Sequence, residues 1–311
     1  MQYSVIVPTL NPGGLWKKWI DTLETQSIAP LAVHVVDSES NDGSLELSVD
    51  AGFIVTTINK HEFNHGRTRQ SALSLVNNVE YVVLLTQDAI LANPDSIKEI
   101  LTPFQDDNIS AVCGRQLPRK NAGCIEAHSR LYNYPNQSSV RCFEDREVIG
   151  MKAAFLSNSF AAYRVSALNE VGGFPEDVIF GEDMYVAAKL LKSGYKIAYA
   201  ADACVYHSHA YSLFQEFKRY FDMGVFHARA SWIRNEFGAA ENQAARFVVS
   251  ELRYLLQHAF WRIPEALLRS GFRFVGFRFG LIESRLPVLL KKHMSMNSAY
   301  FRGEIKGKSV D

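Results

Sequence analysis

Four carboxylates and two histidines fall where the chain's strand-like and helix-like patterns begin or end. Tyr81 to Ala89 reads YVVLLTQDA, an apolar β-forming run stopped by Asp88. A buried parallel strand has this pattern, and open α/β sheets bind ligands just past the carboxyl ends of such strands. A carboxylate there is placed to hold Mg²⁺ or Mn²⁺ jointly with phosphate oxygens and water. Asp is equally favoured at helix N-caps and turns. The run AVHVVD ends in Asp37, followed by Ser38-Glu39-Ser40-Asn41-Asp42-Gly43. Such an acid can meet a base or ribose while nearby amides face a phosphate; an Asx-type turn accounts for the same residues. Gly181-Glu182-Asp183 opens a helical pattern. One acid of the pair can accept the proton of an attacking hydroxyl, and paired acids also suit a helix start. His207-Ser208-His209 puts two imidazoles on one side of an extended backbone. They suit a metal or a diphosphate, or a structural surface pair. Gly66, Arg67 and Arg69 open another helix, as an anion cradle or a solvated helix start.

The elements that must position these residues alternate. Strands are expected at Tyr3–Pro8, Ala32–Val36, Phe53–Thr57 and Tyr81–Leu85. Helices are expected at Leu15–Gln26, Ser44–Ala51, Gly66–Val76 and Pro94–Phe104. This order predicts an α/β fold: a mostly parallel sheet, helices on both faces, right-handed crossovers. Residues 108–150 read as irregular apart from a strand at Ala111–Gly114, and suggest a binding loop or lid. Periodicity returns at Phe155–Arg164, with a helix over Asp183–Ser193 and a strand over Tyr195–Tyr199. After His209 come three helices rich in aromatic and basic residues: Leu213–Phe237, Ala244–Arg262 and Pro264–Lys292, the last interrupted at Gly271 and Gly276. The expected division is residues 1–210 and 211–311.

The 311 residues, 47% hydrophobic and 21% charged, suit a soluble globular chain with a sizeable core. Cys113, Cys124, Cys142 and Cys204 form no CxxC pair or zinc spacing, and with the strand YSVIVP so near Met1 no secretory leader is expected. The expectation is reduced thiols and a cytoplasmic chain, with no transmembrane helix and no nucleic-acid partner. The net charge of zero hides a split. Residues 212–311 carry 16 Lys and Arg against 9 Asp and Glu; the other 211 carry 17 against 24. The two parts should meet different partners.

The series VIVPTLN, VDSESNDGS, LLTQDA, GGFPEDVIFGEDMYVAAKLLKSGY and VYHSH resembles family 2 inverting glycosyltransferases of the GT-A fold, over residues 1–210. EFNHGRTRQ, TQDA and HSHAYSLFQEFKRYFDMGVFH are further similar to bacterial rhamnosyltransferases of O-antigen and other surface polysaccharide synthesis, which use dTDP-L-rhamnose. The resemblance implies nucleotide contacts from Pro8, Thr9, Asp37 and Ser38. It implies Asp88 as the metal-binding acid with Gln87 beside it, and Thr86 where many members carry Asp. It implies Asp183 as catalytic base with Glu182 adjacent, His207 near metal and diphosphate with His209 as partner, and Arg67 and Arg69 near the nucleotide sugar. Asp37-Ser38-Glu39-Ser40 replaces the common Asp-Asp-Gly-Ser, which bears on Ser38 and not on Asp37. A site with one acid should hold its metal only together with the donor diphosphate.

The implied reaction moves rhamnose to a saccharide acceptor, expected to be polyprenyl-diphosphate-linked. The alternatives are a family 2 enzyme using a UDP- or GDP-sugar, a non-catalytic carbohydrate-binding or scaffold protein, and a sugar nucleotidyltransferase. The last usually carries a glycine-rich basic loop, which TLNPGGLWKKW is not. Phe214, Phe217, Phe221 and Trp232 recur among Lys218, Arg219 and Arg229, and Phe272, Phe274, Phe277 and Phe279 among Arg269, Arg273 and Arg278. Such helices suit peripheral contact with the cytoplasmic face of an anionic inner membrane; a helix-packing core or a homo-oligomer interface explains them nearly as well.

Overall fold

The computed structural model describes residues 1–238 and 241–302. The strands are β1 (Tyr3–Thr9), β2 (Ala32–Asp37), β3 (Ile54–Thr57), β4 (Tyr81–Leu85), β5 (Ile90–Leu91), β6 (Ile109–Leu117), β7 (Ser139–Arg141), β8 (Phe160–Arg164) and β9 (Lys196–Tyr206). The helices up to the last strand are α1 (Leu15–Glu24), α2 (Ser44–Asp50), α3 (His65–Leu73), α4 (Ser96–Leu101), α5 (Cys124–Asn133), α6 (Arg146–Ile149), α7 (Val165–Glu170) and α8 (Glu182–Lys192). After it come α9 (Leu213–Arg229), α10 (Ser231–Phe237), α11 (Glu241–His258), α12 (Ile263–Leu281) and α13 (Val288–Met294). One mixed sheet runs β3-β2-β1-β4-β8-β6-β9-β5, with β7 beside β9. The first four strands are parallel; β8 lies antiparallel between β4 and β6.

Alternation along the strands builds two cores. Tyr3, Val5 and Val7 face one side with Val83 and Leu85; Ile6, Val82 and Leu84 face the other. Helix α1 covers the first side with Trp16, Trp19, Ile20 and Leu23, a helical i, i+3, i+4, i+7 set. The second side shares its core with α8, α9 and α10 through Val186, Leu190, Phe221, Val225, Ile233 and Phe237.

Three expectations are corrected. The stretch 108–150 is largely ordered: β6 extends to Leu117, and α5 packs His128 against Phe247 and Tyr254 of α11. Polar residues hid this helix because it docks on a late element. Leu213–Phe237 is broken at Ala230. Helix α12 runs unbroken through Gly271 and Gly276. Gly276 and Gly280 are close-approach residues: a Cβ at either would lie 2.3 Å from Phe217 O or 2.2 Å from Phe221 O. The missing side chains let α12 lie directly on α9.

Candidate active site

Thr9 and Asp37 end neighbouring parallel strands in register, and Asp88 follows the next strand, so all three stand at one sheet edge. Asp37 is buried. Its Oδ1 accepts from Thr9 Oγ1 at 3.0 Å and its Oδ2 from Ser40 N at 2.9 Å. Both bonds fix the carboxylate. Ser38 Oγ beside it is buried and has no partner among the described residues. Pro8 sits inside β1 opposite Val36. Gln87 ties the loops together: its Oε1 accepts from Leu10 N and its Nε2 donates to Leu10 O. Asn11 and Glu39 hold φ of 44° and 61° in these two loops, the kind of local strain that accumulates at binding sites.

Asp88, His207 and His209 form one cluster whose potential ligand atoms all lie within 4.8 Å of one another. His207 Nε2 is 3.4 Å from Asp88 Oδ1, and His209 Nδ1 is 3.6 Å from Asp88 Oδ2. Burial pushes His207 below its ordinary range and His209 down to about 3, so both rings are neutral at pH 7. Gln116 Oε1 lies 2.8 Å from His207 Nδ1 and also accepts from Arg130 Nη1 at 2.6 Å. An acceptor there puts the His207 proton on Nδ1. The Nε2 lone pair therefore faces a carboxylate oxygen, an arrangement that a shared cation completes. One ionised carboxylate and two neutral imidazoles fit a divalent metal such as Mn²⁺. Arg119, absent from the motif reading, donates through Nη2 to the Asp88 carbonyl at 2.9 Å and lies 3.4 Å from its Oδ2.

The second acidic pair divides its work. Gly181 takes φ 74° at the start of α8, and a side chain there would press on the Phe226 ring at 3.1 Å. Glycine therefore sets the start that presents Glu182 and Asp183. Glu182 is buried, paired with Arg69 Nη1 at 2.9 Å and accepting from Asn158 Nδ2 at 3.0 Å. Burial alone would raise Glu182; Arg69 outweighs it and keeps the group low. Asp183 accepts from Asn158 N at 3.2 Å and Met184 N at 2.8 Å. Burial first, and then the Glu182 charge, push its carboxyl up to about 7.

The two clusters share one support. Ser157 Oγ accepts from Gln116 Nε2, Asn158 holds both acids of α8, and Ser159 O accepts from Thr86 N beside Asp88. This tripeptide links the Asp88 end of the site to Asp183. Tyr163 locks Asn158 by donating to its Oδ1 at 2.7 Å. Polar residues in a loop gave no sign of this role.

The two arginines of α3 stand apart. Arg69 is buried on Glu182, whereas Arg67 is exposed with Glu176 3.8 Å away. The helix start offers little to an anion: Asn64 Oδ1 accepts from Gly66 N and Arg67 N, and Pro175 O leaves no room for a side chain at Gly66.

Comparison with known proteins fits this geometry. The model of the Glycosyl transferase family group 2 matches residues 81–301. O-antigen chain rhamnosyltransferase RfbN of Salmonella typhimurium is 44% identical, covering 97% of this chain and 96% of the relative. WbaN of Salmonella anatum, of the same description, is 42% identical, covering 96% and 95%. A mannosyltransferase of Pyrobaculum calidifontis, solved with GDP-Man and Mn²⁺, superposes with TM-score 0.57 at 19% identity, over 99% of this chain and 88% of that one. TarS residues 1–349 of S. aureus, solved with UDP-GlcNAc, gives 0.55 at 17% identity, over 100% and 93%. The sheet is thus the GT-A arrangement. This chain belongs to glycosyl transferase family group 2 and is a glycosyltransferase.

Proposed function

We propose that the chain transfers L-rhamnose from dTDP-β-L-rhamnose to a polyprenyl-diphosphate-linked saccharide in O-antigen synthesis, inverting the anomeric carbon. The observation that carries this reading is the 44% identity, along nearly the whole chain, to an O-antigen chain rhamnosyltransferase. The site chemistry supports the reaction type. Thr9, Asp37 and Ser38 receive the nucleoside at the sheet edge. Asp183, with a carboxyl near neutrality, takes the proton of the acceptor hydroxyl as that oxygen attacks. Glu182 is unsuited to the role because Arg69 holds it ionised and buried; it orients Asn158 and raises its neighbour. Asp88, His207 and His209 would hold a divalent cation, which supplies positive charge against the departing diphosphate. Arg119 adds a guanidinium on the same side.

The test is turnover of a nucleotide-sugar panel with lipid-linked acceptor. Release of dTDP from dTDP-rhamnose should exceed release from UDP- and GDP-sugars. A preference for UDP-GlcNAc or GDP-mannose would overturn the donor assignment. Full turnover by Asp183→Asn would overturn the base.

A further inference from the structure

Helix α12 is amphipathic in the inverted sense. Its exposed positions are Pro264, Leu267, Leu268, Gly271, Phe274, Val275, Arg278, Phe279 and, just past its end, Ile282. They recur at i, i+3, i+4, i+7 and so form one stripe, apolar except for Arg278. Phe274 is 64% exposed. The opposite side carries the small and charged residues. Ala266, Gly276 and Gly280 are buried, and Arg269 and Arg273 pair with Glu216 of α9. At 19 residues the helix is about 28 Å long, so the stripe lies along the molecule and does not end in a tip. Immediately before it, Phe260 and Trp261 stand 65% and 67% exposed. Beyond its far end the apolar surface continues through Phe279, Phe217 and Phe214 to His293, ring to ring.

The charge around this face has one sign. Among the described residues from Ala244 to Arg302 there are three acids, and all face arginine or lysine within the fold. Glu251 lies 3.9 Å from Arg273, Glu265 pairs with Arg262 and Arg269, and Glu283 pairs with Arg229 and Lys291. The exposed charges that remain, Arg246, Arg253, Arg278, Arg285 and Arg302 with half-exposed Lys292, are positive. No helix of the described residues is long and apolar enough to cross a membrane.

We propose that the outer face of α12, with Phe260 and Trp261, is the surface on which this protein docks to an anionic lipid bilayer. The helix lies parallel to the surface, its apolar stripe enters the acyl boundary, and Arg278, Arg285 and Lys292 meet anionic headgroups. A second copy is a poorer occupant: two-fold pairing would bring like-charged faces together. The contact does not depend on which nucleotide sugar the enzyme uses, and a failed donor panel would leave it standing.

The experiment is co-sedimentation of the full chain with phosphatidylcholine vesicles, with and without phosphatidylglycerol. Emission from Trp261 is read in parallel; Trp16 and Trp19 are buried and Trp232 half-buried, so a blue shift reports Trp261. The wild type should bind the anionic vesicles, shift to the blue, and release in high salt. Trp261→Ser/Leu268→Ser/Phe274→Ser should lose binding about tenfold or more. Arg278→Glu/Arg285→Glu, which leaves the apolar stripe intact, should lose binding to a similar degree, about tenfold. Absence of wild-type binding, or wild-type binding by either variant, overturns the proposal. A dimer seen by light scattering, lost in the triple variant and unaccompanied by vesicle binding, would assign the face to a second copy.

Discussion

Replacing Asp183 with Asn should abolish turnover and at the same time stabilise the protein, by an amount that depends on pH. The folded-state carboxyl is pushed up from 3.8 to about 7, by burial and by the charge of Glu182. A group whose pKa is raised on folding contributes stability that is complete below its unfolded value and is lost as pH rises through its folded value. The ionised form is therefore a burden on the fold above about pH 7. At 1.36 kcal/mol per unit, the full shift corresponds to about 4 kcal/mol. Asp183 keeps some solvent access, so about half, roughly 2 kcal/mol, is a fairer expectation. Asn carries no charge and can still accept from Asn158 N or Met184 N through its carbonyl oxygen. The assay is thermal unfolding of ligand-free wild type and variant at pH 4, 6 and 8. The melting temperatures should coincide near pH 4 and diverge with rising pH, the variant standing about 4 °C higher at pH 8. Turnover should fall by about 10³-fold at pH 8, where the wild-type carboxylate is ionised, and the gap should narrow towards pH 4 as that carboxyl is protonated. A variant no more stable at pH 8 than the wild type would show that Asp183 is not held near neutrality, and the argument for it as base would lose its electrostatic support.

Three further outcomes are expected. Wild-type kcat/KM should rise with pH and level off above about 7, the value to which Asp183 is pushed; a flat profile between pH 5.5 and 8.5 would count against a carboxylate base. Gln116→Leu frees the His207 proton to move to Nε2 and should weaken Mn²⁺ binding in the presence of dTDP by about 10–100-fold in calorimetry; unchanged affinity would detach Gln116 from the cluster. Gly280→Ala should lower stability by about 1–3 kcal/mol, because its Cβ has no space beside Phe221 O. Gly271→Ala, with nothing within 4 Å, should raise stability by roughly 0.5–1 kcal/mol; chemical denaturation distinguishes the pair.

The parallel half of the sheet was legible because its strands are short, mostly β-forming apolar runs, with β2 ending in Asp37 and Asp88 following β4. Asp37 and Asp88 stood out for that reason. The motif order also pointed to Asp88 and His207 as members of one site. What the sequence could not show is how these residues are held. One acid with His207 and His209 beside it was expected at Asp88; what stayed hidden is the hydrogen bond that sets the His207 tautomer, from Gln116 on a strand 91 residues earlier. Arg69 looked like an anion ligand because arginines at helix starts often are. Its partner, Glu182, is distant in sequence and became visible only through packing. The same holds for Ser157–Ser159, whose value lies in three backbone and side-chain bonds to separate elements. Gly271 and Gly276 misled in the opposite sense: read locally they interrupt a helix, whereas the helix runs through both and uses Gly276, with Gly280, to seat itself on another.

The most direct test of the account is the stereochemistry of the product. Wild-type enzyme, Mn²⁺, dTDP-β-L-rhamnose and lipid-linked acceptor should yield dTDP and an α-linked rhamnoside, read from the anomeric signals by NMR. A β-linked product, or transfer that persists undiminished in Asp183→Asn, would contradict a single displacement with Asp183 as its base.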